Sequence, residues 1–119
     1  MSETPLIHKI LTLFSQFGGR LSRNNSGTLQ NKRGTFVHFG VFSPGGSDLI
    51  GFLPVVITPE MVGTKVAVFT ALEIKVGRTR TTPQQLNFIK TIKDNGGIAA
   101  IIHDSVTESE LRDLTNLTA

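Results

Sequence analysis

Apolar residues recur at helical spacing near the start of the chain, at Leu6, Ile7, Ile10, Leu11, Leu13, Phe14 and Phe17. The spacing predicts a first helix, capped by Ser2 or Thr4, with Pro5 in its first turn and Gly18-Gly19 as its stop. Apolar positions cover more than one of its faces, so the helix should be well buried or shared with a second subunit. Residues 20–24 read as a short strand, residues 25–34 as a polar loop, and residues 35–39 as another strand. Ser43-Pro44-Gly45-Gly46-Ser47 is a tight turn leading into Asp48. Two apolar runs follow. Residues 49–57 are interrupted by Gly51 and Pro54. Residues 66–76 are apolar on both faces, as a central strand should be, with charge only at Glu73 and Lys75. Residues 58–64 between them read as a connection with one helical turn.

The second half is more regular. Gly77-Arg78-Thr79-Arg80 is a basic loop, and Thr82 caps a helix with Pro83 in its first position. Leu86, Ile89 and Ile92 mark that helix's buried face, and Gly96-Gly97 stops it. Residues 98–102 form a short apolar strand. Thr107-Glu108-Ser109-Glu110 is a capping box that opens a last helix with Leu111, Leu114 and Leu117. The order of elements predicts an α/β fold with a central mixed β-sheet flanked by helices, built as a single domain over residues 1–119.

Composition narrows the chemistry. The chain has 119 residues and no cysteine, which excludes disulfides, thiolate metal sites and a cysteine nucleophile. Glu3 stands where a signal peptide would be basic, and no apolar run approaches membrane-spanning length. A soluble cytoplasmic protein is expected. The net charge of +3 permits an anionic partner. Phe supplies all eight aromatic residues, and most fall in apolar patterns that predict core positions, not a platform for stacked bases.

Glu73 and Lys75 alternate with Ile74 along a strand, so they share one face. Charges at the end of an apolar strand need partners or water. Asp48 lies 25 positions earlier (73 − 48). That is long enough for one strand to run out and the next to return antiparallel beside it, which would make Asp48 and Glu73 neighbours. Two adjacent carboxylates repel unless one is protonated or a cation binds, and their hard oxygens suit Mg²⁺ or Mn²⁺. Lys75 would then hold a water nucleophile or stabilise charge on a phosphate. Gln85 precedes Ile89 by four and Ile92 by seven, which puts it on the inner side of its helix. Either nearby backbone satisfies it, or it lies beneath a metal site close to Lys75. Arg78 and Arg80 are either phosphate grips or ordinary loop charge. Arg20, Arg23, Lys32 and Arg33 form a second candidate basic patch. His8, His38 and His103 lack metal-ligand spacing, and no P-loop, dinucleotide fingerprint or serine elbow is present.

Gly45-Gly46-Ser47-Asp48 followed by Glu73-Ile74-Lys75 resembles the PD-(D/E)XK nuclease superfamily. More narrowly, the chain resembles the virus-type replication-repair nuclease (VRR-NUC) domain in its short stand-alone phage form, over nearly its whole length. Arg23-Asn24-Asn25-Ser26-Gly27, Phe39-Gly40, Ser47-Asp48-Leu49-Ile50-Gly51 and Thr82-Pro83-Gln84-Gln85-Leu86-Asn87-Phe88-Ile89 carry the likeness, as does Gly96-Gly97 before an apolar strand. Ser47 stands where the superfamily name has Pro. The resemblance implies a restriction-endonuclease-like core with Asp48, Glu73, Lys75 and Gln85 as catalytic residues. It implies Mg²⁺ or Mn²⁺ held by Asp48, Glu73 and the Ile74 carbonyl. Glu3 would match the family's first-helix Glu. Arg23, Arg78 and Arg80 would meet DNA. It further implies cleavage to 5′-phosphate and 3′-hydroxyl ends, a homodimer acting on four-way junctions, and a phage-infected bacterial cell as the setting. A non-catalytic nucleic-acid-binding module, a flap- or overhang-trimming nuclease and a structural subunit are the competing readings.

Overall fold

Gly18, at φ +86°, ends the first helix, α1 (Glu3–Gln16), and Gly19 donates back to the Phe14 carbonyl at 2.8 Å. The structure, a computed structural model, describes residues 3–114. It is a mixed α/β chain that divides into two compact units, Met1–Val55 and Val56–Ala119.

In the first unit, α1 leads into β1 (Arg20–Arg23), which pairs antiparallel with β4 (Leu49–Phe52), Arg23 opposite Leu49. Between them, β2 (Gly27–Gln30) and β3 (Phe36–Phe39) form an antiparallel hairpin. The polar stretch 25–34 therefore contains a strand. With Leu29 as its one large apolar residue, β2 shows no alternation, and its partner β3 defines it. Gly27 is tolerated there because the Phe39 ring lies over the space its Cβ would fill. β4 stops at Phe52, because Pro54 lacks the donor a longer ladder needs.

The second unit opens with a 3₁₀ turn (Pro59–Met61) and holds a β–α–β element. β5 (Thr70–Lys75) runs parallel to β6 (Ile98–His103), with α2 (Pro83–Asp94) as the crossover. Thr82 caps α2 in a capping box with Gln85, and Thr107 caps α3 (Glu108–Asp113) in a box with Glu110. Ile92 and Ala99 form the buried apolar centre.

Several expectations change. Among the described residues the strands form three two-stranded sheets, not one central sheet. β4 has β1 as its ladder partner and β5 has β6, so the antiparallel pairing expected between the Asp48 and Glu73 runs is not the one formed. β5 spans only 70–75, and its outer face, with Leu72 and Ile74, is exposed. α1 buries no residue, and Leu6 and Phe17 are more than half exposed. The phenylalanines are not core as a group. Phe36 and Phe42 are 67% and 81% exposed, because no second layer among the described residues of their unit covers the strand or loop that carries them. Leu86, expected on the inner face of α2, is exposed. Leu117 lies outside the described residues, as does Ser2.

Candidate functional site

Alternation along β5 turns Ala71, Glu73 and Lys75 inward and leaves Thr70, Leu72 and Ile74 outward. Lys75 is 6% exposed. A buried ammonium is costly unless it is paired and hydrogen-bonded. Here its Nζ donates to Gln85 Oε1 at 3.0 Å and lies 3.3 Å from Glu73 Oε1. Gln85 closes the triangle, donating from Nε2 to Glu73 Oε1 at 2.8 Å. The same Oε1 of Gln85 accepts from the Thr82 backbone N–H at 2.9 Å. The capping box that starts α2 thus fixes the side chain that holds Glu73 and Lys75. Gln85 thus meets both the Thr82 backbone and Lys75, the two partners expected for it.

Glu73 keeps about a third of its side chain exposed, 32%. Both its contacts fall on Oε1, so Oε2 remains for an outside ligand. A small groove lined by Leu72, Glu73, Gln85, Phe88 and Ile89 runs beside it. Arg78 and Arg80 are exposed on the loop after β5, which turns at Gly77 (φ +64°) and is pinned by Thr79 Oγ1 donating to the Val76 carbonyl at 3.0 Å.

In the first unit, Asp48 is exposed and directly precedes β4. Its carbonyl accepts from the Asn24 backbone N–H at 2.8 Å. Asn24, 8% exposed, is a residue whose role the sequence reading missed. Its Oδ1 accepts from Val41 N–H at 2.7 Å, and its Nδ2 donates to the carbonyls of Val41 at 2.9 Å and Ser47 at 3.0 Å. Asn24 lies between β1 and β2 and Val41 follows β3, so one side chain joins the base of the hairpin to the segment that carries Asp48. A Cβ on Gly46 would overlap the Val41 carbonyl, which explains the glycine in that segment. Nothing in Arg-Asn-Asn-Ser-Gly distinguishes Asn24 from Asn25 by pattern. The only signal is a side chain with both a donor and an acceptor beside a glycine-rich turn.

Glu3 is exposed in the first turn of α1, and Arg23 is exposed at the end of β1. The structure brings Glu73, Lys75 and Gln85 together in one cluster, with Ile74 between the first two on the chain. Among the described residues no three or more His, Cys, Asp or Glu side chains form a metal-binding group, and no helix is long and apolar enough to cross a membrane. No protein-family model, curated protein or solved structure matches the chain.

Proposed function

We propose that the protein is a metal-dependent DNA endonuclease with a restriction-endonuclease-like core, using Asp48, Glu73, Lys75 and Gln85 on branched DNA. The observation that carries this reading is the buried Lys75 held against Glu73 by Gln85 at the end of β5. A purely structural lysine rarely occupies a buried position, and a cation poised beside a half-open carboxylate suits a reaction at an anionic phosphate.

The donor set fits Mg²⁺ or Mn²⁺. Both are hard cations that bind through one or two carboxylates and keep waters or phosphate oxygens as their remaining ligands. Two carboxylates and one carbonyl therefore suffice, and a three-carboxylate cluster is not required. In this reading Glu73 and the Ile74 carbonyl would hold the ion, with Asp48, and Glu3 as a further candidate, as the carboxylates the sequence resemblance adds. When bound, it supplies Lewis acidity toward phosphate and a more acidic water. Lys75 orients the attacking water and stabilises charge gathering on the phosphate oxygens. Gln85 is a positioning residue that keeps Lys75 and Glu73 in register. The water oxygen bonds to phosphorus and releases a proton to solvent as the bond to the 3′ oxygen breaks. The leaving oxygen takes a proton from solvent, giving 5′-phosphate and 3′-hydroxyl ends. Arg23, Arg78 and Arg80 serve as phosphate contacts.

The exposed apolar positions of α1 support a second copy of the chain as a partner. A two-fold dimer presents two equivalent sites, which matches a four-way junction in DNA repair or phage replication. Calorimetric titration with Mn²⁺ tests the metal centre. Wild type should bind, and both Asp48→Asn and Glu73→Gln should lose the heat. Binding that survives both substitutions would refute a shared ion.

A further inference from the structure

The two units handle charge in opposite ways. The second carries seven cations (Lys65, Lys75, Arg78, Arg80, Lys90, Lys93, Arg112) and seven carboxylates (Glu60, Glu73, Asp94, Asp104, Glu108, Glu110, Asp113). The three ion pairs among the described residues, Lys75–Glu73, Lys90–Asp94 and Arg112–Glu108, all lie within it. The first carries five cations (Lys9, Arg20, Arg23, Lys32, Arg33) against Glu3 and Asp48, and no carboxylate stands between those two in the chain. The whole net charge of +3 therefore belongs to the first unit. Five cations against two carboxylates leave an excess of like charge that repels, and an external polyanion relieves that repulsion.

Lys32 and Arg33 sit at the tip of the β2–β3 hairpin. Asn31 and Thr35 close the loop through Asn31 N–H to the Thr35 carbonyl at 2.8 Å, and Gly34 takes φ +81°. This is the three-residue hairpin connection with a left-handed third residue. Asn31 Oδ1 accepts from the backbone N–H groups of Arg33 at 2.9 Å and Thr35 at 3.0 Å. The tip is thus ordered while both basic side chains stay exposed. Thr28, Gln30, Phe36 and His38 line one face of the hairpin, with Thr28 Oγ1 and His38 Nδ1 3.1 Å apart across the strands. At the other end, Asn24 bonds the hairpin's base to Ser47 and Asp48. A two-stranded ribbon is narrow enough for a duplex groove, whose walls are phosphates.

We propose that the β2–β3 hairpin is a DNA-gripping arm, in which Lys32 and Arg33 each neutralise one backbone phosphate of a duplex segment and Asn24 ties the arm to the Asp48 segment. The proposal rests on the nuclease reading for its ligand and adds a second grip, separate from Arg23, Arg78 and Arg80. Its contacts are to the backbone, so it holds DNA without reading sequence.

The test is fluorescence anisotropy of the full chain in EDTA with two labelled duplexes of unrelated sequence, across a range of KCl. Lys32→Ala/Arg33→Ala should lower the slope of log affinity against log salt by about 2, on either duplex. The wild-type advantage should then shrink roughly 12-fold between 50 and 200 mM salt, since each lost contact contributes a slope of about 0.9. Lys32→Arg/Arg33→Lys should restore the slope. Lys90→Ala, which removes a cation paired with Asp94, should leave it near wild type. An unchanged slope in the double alanine variant, with wild type still salt-dependent, overturns the arm and leaves the nuclease reading standing. A fall of about 1 for Lys90→Ala, the same per charge removed, assigns the effect to net charge and also overturns the arm. Wild type that binds neither duplex also overturns the arm, while junction cleavage judges the nuclease reading separately.

Discussion

Among the described residues, each unit of this chain buries one polar side chain, Asn24 in the first and Lys75 in the second, and the two are held in different ways. Asn24 is neutral and its partners are all backbone groups, so its hydrogen bonds fix a shape. Lys75 is charged and its partners are the side chains of Glu73 and Gln85. Side-chain partners can rotate, exchange a bond for a ligand and change protonation, which backbone carbonyls cannot. Asn24 organises the fold, whereas in the proposed reading Lys75 serves chemistry.

The largest expected effect is on turnover. Lys75→Met keeps the buried volume and removes the charge, and should lower kcat by about 100-fold or more with little change in KM. Stability should stay within about 1 kcal/mol of wild type, because Glu73 is open enough to hydrate once its partner is gone. A Lys75→Met protein that cleaves normally but unfolds early would reverse the roles drawn above. Asn24→Ala should behave in the opposite way. It leaves two carbonyls and one amide without their partner in a partly buried place, which should destabilise the protein by about 2 kcal/mol in urea unfolding. Turnover per folded molecule should fall less than in Lys75→Met.

How much of this was legible beforehand follows from where the information lies. The capping boxes at Thr82 and Thr107 and the glycine stops at Gly18 and Gly96 are local, and the structure has each where the pattern puts it. The shared face of Glu73 and Lys75 needs only strand alternation. Strand partners are long-range. Nothing near Leu49 specifies β1 over β5, and nothing in Gly-Thr-Leu-Gln marks β2 as a strand without β3 beside it. Burial misled for a related reason. An apolar side chain such as Phe36 or Leu6 signals a wish for cover, and the cover need not come from its own unit.

Smaller effects sharpen the comparison further. Gly46→Ala should cost about 1–3 kcal/mol, since its Cβ meets the Val41 carbonyl that Asn24 also holds, and the loss should be less than additive with Asn24→Ala. Thermal unfolding of the two single variants and the double variant reads this directly, and full additivity would separate the two positions. Smaller still, Arg78→Ala and Arg80→Ala should each weaken DNA binding uniformly across sequences and lower its salt slope by about 1, leaving stability unchanged. Light scattering at working concentration should give the mass of a dimer, and a monomer there would leave the exposed face of α1 unexplained.

The most direct test is cleavage of a labelled four-way junction beside a linear duplex of matching sequence, with Mg²⁺ or Mn²⁺, with Ca²⁺ and with excess EDTA. The account predicts junction cleavage with Mg²⁺ or Mn²⁺, none with Ca²⁺ or EDTA, and none from Asp48→Asn or Glu73→Gln that remain folded. Robust cleavage in EDTA, or by the folded Glu73→Gln protein, would contradict it.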